Sequence, residues 1–228
     1  MSAPAHPPLR SFGRIKSRAV KPRQAALLDT LLPSIRVPDP KAGPVDPATL
    51  MPGAAEAWLE IGFGGGEHMA AQAERRPDVL VIGCEPFVNG VASALRYVDE
   101  GGLTNVRIHP DDGRDVVAAL PDASLDRVFI LFPDPWQKAR HNKRRLIQPE
   151  FTAELVRVLK PGGRLRFVTD WKDYADWALE RLQATPGLTW QAEGPNDWRI
   201  APADHVVTRY EEKRLGDTPP IFLEFVRA

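Results

Sequence analysis

Val79–Cys84 is an unbroken apolar run, Val-Leu-Val-Ile-Gly-Cys. A strand with water on one face alternates apolar and polar side chains. A run that is apolar throughout belongs in a sheet covered on both faces. Leu125–Phe132 reads as a second buried strand, and Trp58–Ile61, Val106–His109, Arg164–Thr169 and Ile221–Val226 as further short ones. Helical spacing fills the gaps at Glu67–Arg75, Phe87–Tyr97, Arg114–Leu120, Pro149–Leu159 and Trp171–Thr185, with Pro161-Gly162-Gly163 stopping the fourth. This alternation predicts an α/β chain with a mostly parallel sheet and helices on both faces. Ligands of such sheets bind outside the carboxyl ends of the strands. The residues that follow each strand are therefore where chemistry is expected.

Residues 1–53 differ from the rest. Arg10, Arg14, Lys16, Arg18, Lys21 and Arg23 precede the first acid, Asp29, and six prolines punctuate the stretch from Pro33 to Pro52. The reading is a Pro-rich, partly basic arm, largely irregular with a short helix near 23–32, ahead of a domain over 54–228. Its basic part suits either phosphates or solvent. The net charge of the chain is zero, so any argument for a polyanion must come from local clusters. Cys84 is the single cysteine, which excludes an intrachain disulfide and a Cys-rich zinc cage. The opening MSAPAHPPLR holds no apolar core of a signal peptide, and no run of about 18 apolar residues occurs. The expectation is a cytoplasmic protein that neither enters nor crosses a membrane.

The first strand closes on Leu59-Glu60-Ile61-Gly62-Phe63-Gly64-Gly65-Gly66. Glycines at a strand-to-helix turn let backbone approach a ligand closely. A dinucleotide fingerprint would need a third glycine where Glu67 stands. Glu60 at the strand tip would repel a pyrophosphate, yet it suits an ammonium or sulfonium. Glu85 ends the second strand, 19 residues after Gly66, the usual place for an acid that binds ribose hydroxyls. Asp112 follows the third strand, where a carboxylate can accept from an adenine amino group. S-adenosylmethionine meets all three positions and NAD only one. Each acid taken singly also reads as a solvated loop residue.

Past the buried strand comes Phe132–Arg145, FPDPWQKARHNKRR. Pro133 and Pro135 fix their own φ and bias their neighbours, which pre-organises Asp134. The basic run that follows holds five Lys or Arg between Lys138 and Arg145. A solvated turn and a solvated charged face are the plain alternatives. An acid at the ligand edge beside a basic run points instead to chemistry next to a polyanion.

These pieces resemble the bacterial tRNA (guanine-N7-)-methyltransferase family. The matching segments are LEIGFGGG (59–66), GCEP (83–86), FPDPWQKARHNKRR (132–145), FVTDW (167–171) and TRYEEKRLGDTPPIFLEF (208–225). The resemblance implies a class I, Rossmann-like methyltransferase fold with an antiparallel last strand, and S-adenosylmethionine as cofactor. It implies methyl transfer to N7 of a guanine in the tRNA variable loop, at position 46 in tRNA numbering. By resemblance Glu60, Gly62, Gly64, Gly66, Glu85, Asp112 and Asp134 form the cofactor side, and Asp134 is the catalytic group. Lys138, Asp170, Thr208, Arg209, Tyr210 and Glu211 form the guanine side, and Arg140, His141, Asn142, Lys143, Arg144 and Arg145 line the RNA. No metal is implied. The partner is tRNA, with a monomer or homodimer and no obligatory protein partner. Asp111 competes with Asp112, which is preferred because Gly113 follows it as a small residue.

The chemistry fits these residue types. Guanine N7 carries a lone pair and needs no deprotonation, so positioning dominates. The methylated ring becomes cationic, and a nearby carboxylate stabilises that charge. A bidentate Arg on O6 and N7, the usual guanine contact, would block the reacting atom. Carboxylates accepting from N1–H and the N2 amino group remain, and Asp170 and Glu211 are the candidates. Asp170 also stands where a helix N-cap belongs. The alternatives are a nucleobase methyltransferase acting on an exocyclic amine, a non-catalytic RNA-binding protein on the same fold, and an NAD oxidoreductase.

Overall fold

The computed structural model describes residues 19–228, so the basic residues Arg10 to Arg18 lie outside the described region. Seven strands form one sheet in the order β3-β2-β1-β4-β5-β7-β6. They are β1 Glu56–Ile61, β2 Val79–Cys84, β3 Val106–His109, β4 Leu125–Leu131, β5 Leu159–Thr169, β6 Leu188–Trp190 and β7 Ile221–Arg227. β1 to β5 pair in parallel, and β7 runs antiparallel to both β5 and β6. The chain reverses direction across the sheet between β1 and β4, which opens a crevice at their carboxyl ends.

The period of two in the central strands sorts side chains into two cores. Ala57, Leu59 and Ile61 of β1 join Leu80, Ile82 and Cys84 of β2 on one face. Helices α6 (Gly113–Ala119), α7 (Pro149–Val158) and α8 (Lys172–Ala184) cover that face through Val116, Leu155, Tyr174 and Leu182. Trp58, Val79, Val81 and Phe129 point to the other face. There α4 (Glu67–Arg75) and α5 (Val88–Gly101) meet them through Met69, Ala73, Val91 and Leu95. The expected two-sided burial of Val79–Cys84 is met: every residue of β2 is buried.

The arm holds the short helix expected near 23–32, and beyond it the chain is less irregular than expected. α1 (Pro22–Thr30), α2 (Leu32–Ile35) and α3 (Pro47–Leu50) occupy it, and Val37 and Val45 are each 1 % exposed. Val37 N donates to Ile108 O at 2.9 Å and Val45 N to Ala119 O at 2.9 Å. Prolines remove the periodicity that a sequence reading needs, but they leave single apolar residues free to plug the domain. β5 starts five residues earlier than Arg164 because the Pro-Gly-Gly turn is a bulge inside the strand. Leu125 pairs with Leu159 and Arg127 with Arg164, and Gly162 takes φ +78°. The short β6 escaped the sequence reading. Among the described residues no helix is long and apolar enough to cross a membrane.

Candidate active site

The turn after β1 is built by its glycines. Gly62, Gly64 and Gly66 have φ of +76°, +56° and +85°, values that side chains disfavour. A Cβ on Gly62 or Gly64 would meet nothing within 4 Å, so both face an open cleft. Gly66 has a different duty. A Cβ there would stand 2.5 Å from the Ala94 Cβ, so this glycine permits close packing of α4 on α5.

Glu85 stands opposite this turn. Its Oε2 accepts from Gly64 N at 2.8 Å and its Oε1 from Phe87 N at 2.9 Å. The residue is buried, and burial lifts its carboxyl to about 7 against the two backbone bonds that favour the charge. Each oxygen keeps a lone pair for a further donor. Asp112 is the N-cap of α6, accepting from Arg114 N, and it pairs with the Arg114 guanidinium at 2.5 Å. Burial pushes its carboxyl up, but the bonds to Arg114 outweigh that and hold it below the ordinary range. Glu85, Asp112 and Asp134 line one cleft of about 440 Å³ together with Gly64, Phe87 and Tyr210. Asp111, its rival, is exposed and accepts from Asp112 N.

Glu60 opens on the other side of the glycine turn, into a cleft of about 900 Å³ that also includes Gly64, Thr208 and Tyr210. Its Oε2 lies 2.6 Å from His68 Nδ1, and both residues are almost fully buried. The proposed cofactor acids thus lie along two clefts that share Gly62, Gly64, Phe87, Phe132 and Tyr210 as walls.

Asp134 is presented by strained backbone. Phe132 and Trp136 on either side of Pro-Asp-Pro have φ of +50° and +45°, a region that aromatic residues avoid. Such geometry persists only where neighbours over-determine it. Phe132 N donates to Val168 O at 2.7 Å, and its ring packs on Tyr210 at 5.3 Å. Arg145 Nε donates to Pro135 O at 2.8 Å. No hydrogen bond or ion pair to the Asp134 carboxylate occurs among the described residues, and the cleft walls raise its pKa by desolvation.

Asp170 and Glu211 share a hollow of about 870 Å³ with Gly216 and Asp217. Asp170 does not cap α8. That place falls to Asp217, whose Oδ1 accepts from Lys172 N at 2.8 Å. Asp170 is 4 % exposed, its Oδ1 is buried without a partner, and burial raises its carboxyl. A Cβ on Gly216 would come within 2.0 Å of Asp170 O, so only glycine lets this loop pass so closely. Glu211 pairs with His205 at 2.8 Å. Tyr210 stands near both Asp134 and Asp170.

Thr208 and Arg209 hold the segment rather than offering free groups. Thr208 caps the short helix Arg209–Glu212 by accepting from Glu211 N. Arg209 pairs with Glu67 at 2.5 Å and donates to Ser93 Oγ at 3.0 Å. The basic run needs a correction. Arg145 cannot line RNA: its side chain is 1 % exposed, pairs with Asp173, and lies over the rings of Tyr174 and Trp177. Asn142 buries its Oδ1 and offers its carbonyl to Gln148 Nε2. His141 and Arg144 lie against Trp136, at 5.9 Å and 5.0 Å. Lys138, Arg140 and Lys143 are the exposed cations. The 3₁₀ turn Ala139–Arg144 causes this split, because a stretch that coils puts its basic residues on different sides. Phe87, Phe132 and Arg114 were missed as site residues; only the positive φ at Phe132, invisible in sequence, marks it.

A family model described as putative methyltransferase matches residues 54–222. The chain is similar to solved 16S rRNA methyltransferases in fold. One is the 16S rRNA (adenine(1408)-N(1))-methyltransferase from Catenulisporales acidiphilia, with a TM-score of 0.56 at 20 % identity over 84 % of this chain and 94 % of that one. It is 51 % identical to the tRNA (guanine-N(7)-)-methyltransferase of Hyphomonas neptunium over 95 % of this chain and 99 % of that one. It is 68 % identical to the enzyme of the same name from Caulobacter sp. (strain K31), over 97 % of this chain and 96 % of that one. Relatives of that similarity, aligned over nearly the whole length of both chains, show the lineage: the chain belongs to the tRNA (guanine-N(7)-)-methyltransferase family.

Proposed function

We propose that the protein transfers a methyl group from S-adenosylmethionine to N7 of a guanine in the tRNA variable loop. The observation that carries this reading is the Asp134 carboxylate, without a partner among the described residues, in a cofactor-sized cleft whose wall residue Tyr210 also stands near Asp170. The cleft suits the cofactor, since Gly62 and Gly64 face open space and Glu85 keeps acceptor capacity inside it. When bound, the cofactor supplies an electrophilic methyl on a sulfonium. Glu85 would accept from its ribose, Asp112 from its adenine, and Glu60 would attract its ammonium end.

The guanine would enter extruded from its stack, because reading its Watson–Crick edge requires an unpaired base. The buried Oδ1 of Asp170 and the carboxylate of Glu211 offer acceptors for N1–H and the N2 amino group. A buried acceptor without a partner costs on the order of 1–3 kcal/mol, which a base bearing the matching donors recovers and an adenine does not. Asp134 then faces the ring as N7 gains charge. Its carboxylate, partly screened from water by the cleft walls, stabilises a cation, and no proton has to leave N7 before attack. Lys138, Arg140 and Lys143 would hold phosphates and set register rather than sequence. Labelled methyl transfer from S-adenosylmethionine to bulk tRNA, followed by base analysis, tests the proposal. Label in 7-methylguanosine supports it, and label in an exocyclic amine or no transfer overturns it.

Glu85 gives the cofactor step a pH dependence of defined sign. Ribose hydroxyls donate to a carboxylate, so binding favours the ionised form. Burial places that ionisation at about 7. Affinity for S-adenosylmethionine should therefore rise by roughly tenfold from about pH 6 to about pH 8 and level off above. Folding runs the opposite way. A carboxyl raised above its unfolded value contributes stability below the unfolded pKa, and loses it as pH climbs through about 7. Calorimetry on wild type and Glu85→Gln checks this, and a wild-type affinity independent of pH would refute it.

A further inference from the structure

A second set of buried polar groups connects the cofactor side with the guanine side. Glu60 Oε2 lies 2.6 Å from His68 Nδ1, and His68 Nε2 lies 3.1 Å from Gln72 Nε2. Gln72 Nε2 donates in turn to Asp204 O at 2.7 Å. Glu60, His68 and Gln72 are each 2 % exposed or less. Asp204 O accepts only, so the Gln72 atom facing it is its amino group. That group must also donate to His68 Nε2, which leaves His68 Nδ1 as the donor to Glu60. The bonds therefore allow one direction only. The His68 ring is further fixed by an edge contact to Phe129 at 4.9 Å.

Asp204 is the hub of this chain. Its carbonyl also accepts from Arg75 at 2.8 Å, and its carboxylate pairs with Arg127 at 3.0 Å and Arg166 at 2.8 Å. The next residue, His205, packs on Phe222 and holds Glu211. The segment that carries the base-reading acid is thus anchored to the acid at the end of β1, through two side chains on one face of α4.

We propose that His68 and Gln72 are positioning residues, which set the 204–211 segment from the cofactor end of the site so that Glu211 meets the guanine. This inference rests on the methyl-transfer reading above. Neither residue touches the reacting atoms. Gln72→Met keeps the volume and removes both bonds, whereas Gln72→Glu keeps the volume and polarity but turns an acceptor toward Asp204 O. Both variants should raise KM for tRNA on the order of tenfold. In both, kcat at saturating tRNA and the Kd for S-adenosylmethionine measured without tRNA should stay within about twofold. A residue that only packs would be satisfied by methionine, and a variant that disturbed packing alone would depress kcat, cofactor binding and melting temperature together. That pattern, or an unchanged KM, overturns the inference. Nitrogen chemical shifts of the His68 ring, assigned by comparison with His68→Asn, give a second readout that needs no substrate. The proton is expected on Nδ1 in wild type, with Nε2 gaining one as well in Gln72→Glu, where an acceptor then faces each ring nitrogen, and a wild-type proton on Nε2 overturns the chain. If wild type moved no methyl to tRNA, the functional reading would fail while these shifts still decided the tautomer.

Discussion

Single-turnover methyl transfer to tRNA is expected to fall by about 10²- to 10³-fold in Asp134→Asn, with the Kd for S-adenosylmethionine within about twofold. The substitution changes one atom and keeps the shape of the loop. Among the described residues the carboxylate has no hydrogen-bond or ion-pair partner to lose, so the fold has little reason to respond. In the proposed site, cofactor recognition falls to Glu85, Asp112 and the backbone of the glycine turn, which the change leaves alone. What disappears is a full negative charge at the wall of the cleft, next to a ring that in the proposed reaction turns cationic in the transition state. Stabilisation of that kind is weak in the ground state, when guanine is neutral, and strong at the barrier. The loss should therefore fall on the chemical step. Rapid-quench measurement with enzyme in excess over tRNA isolates it. A rate unchanged in the variant would show that charge at residue 134 is not used, and a loss confined to cofactor binding would assign Asp134 to the cofactor instead.

The parts of this site visible in the sequence were those fixed by local chemistry. A continuous apolar run announces a central strand, and the residues after it fall at the ligand edge for topological reasons. That is why Glu60, Glu85, Asp112 and Asp134 gather around one turn in space. Competition between side chains over the same atoms is not written in sequence. Asp170 and Asp217 both stand within reach of the start of α8, and only the path of the loop through Gly216 decides that Asp217 caps the helix. Asp170 is thereby left with a buried, unused oxygen, a stronger argument for ligand binding than its place after a strand. His68 illustrates the limit from another direction. A histidine on an apolar helix face reads as a core residue, and the long step of its bond chain, from Gln72 to Asp204, is one that no local pattern encodes.

The basic run shows the same limit at the level of charge, and it leads to the second large effect. Arg145→Ala is expected to destabilise the protein by about 3 kcal/mol, the sum of a buried cavity, a lost bond to Pro135 O and lost contact with two rings. For a chain of this size that corresponds to roughly 6–12 °C in melting temperature. The charge partner contributes little, because Asp173 is 73 % exposed and water can take over its solvation. Replacing Lys138, Arg140 and Lys143 together by alanine should do the reverse. These side chains are exposed, so stability should stay within about 0.5 kcal/mol, while the slope of log K for tRNA against log salt becomes shallower by about 2–3. Arg145→Ala should leave that slope intact, since a guanidinium enclosed by Tyr174 and Trp177 releases no counterion from RNA. It should still slow methyl transfer, because Pro135 loses the donor that anchors the loop presenting Asp134. Thermal melting and salt titration of the two variants separate the roles. Stable folding of Arg145→Ala together with a reduced salt slope would return Arg145 to the RNA surface, and would mean that the corner around Asp134 holds its strained shape without it.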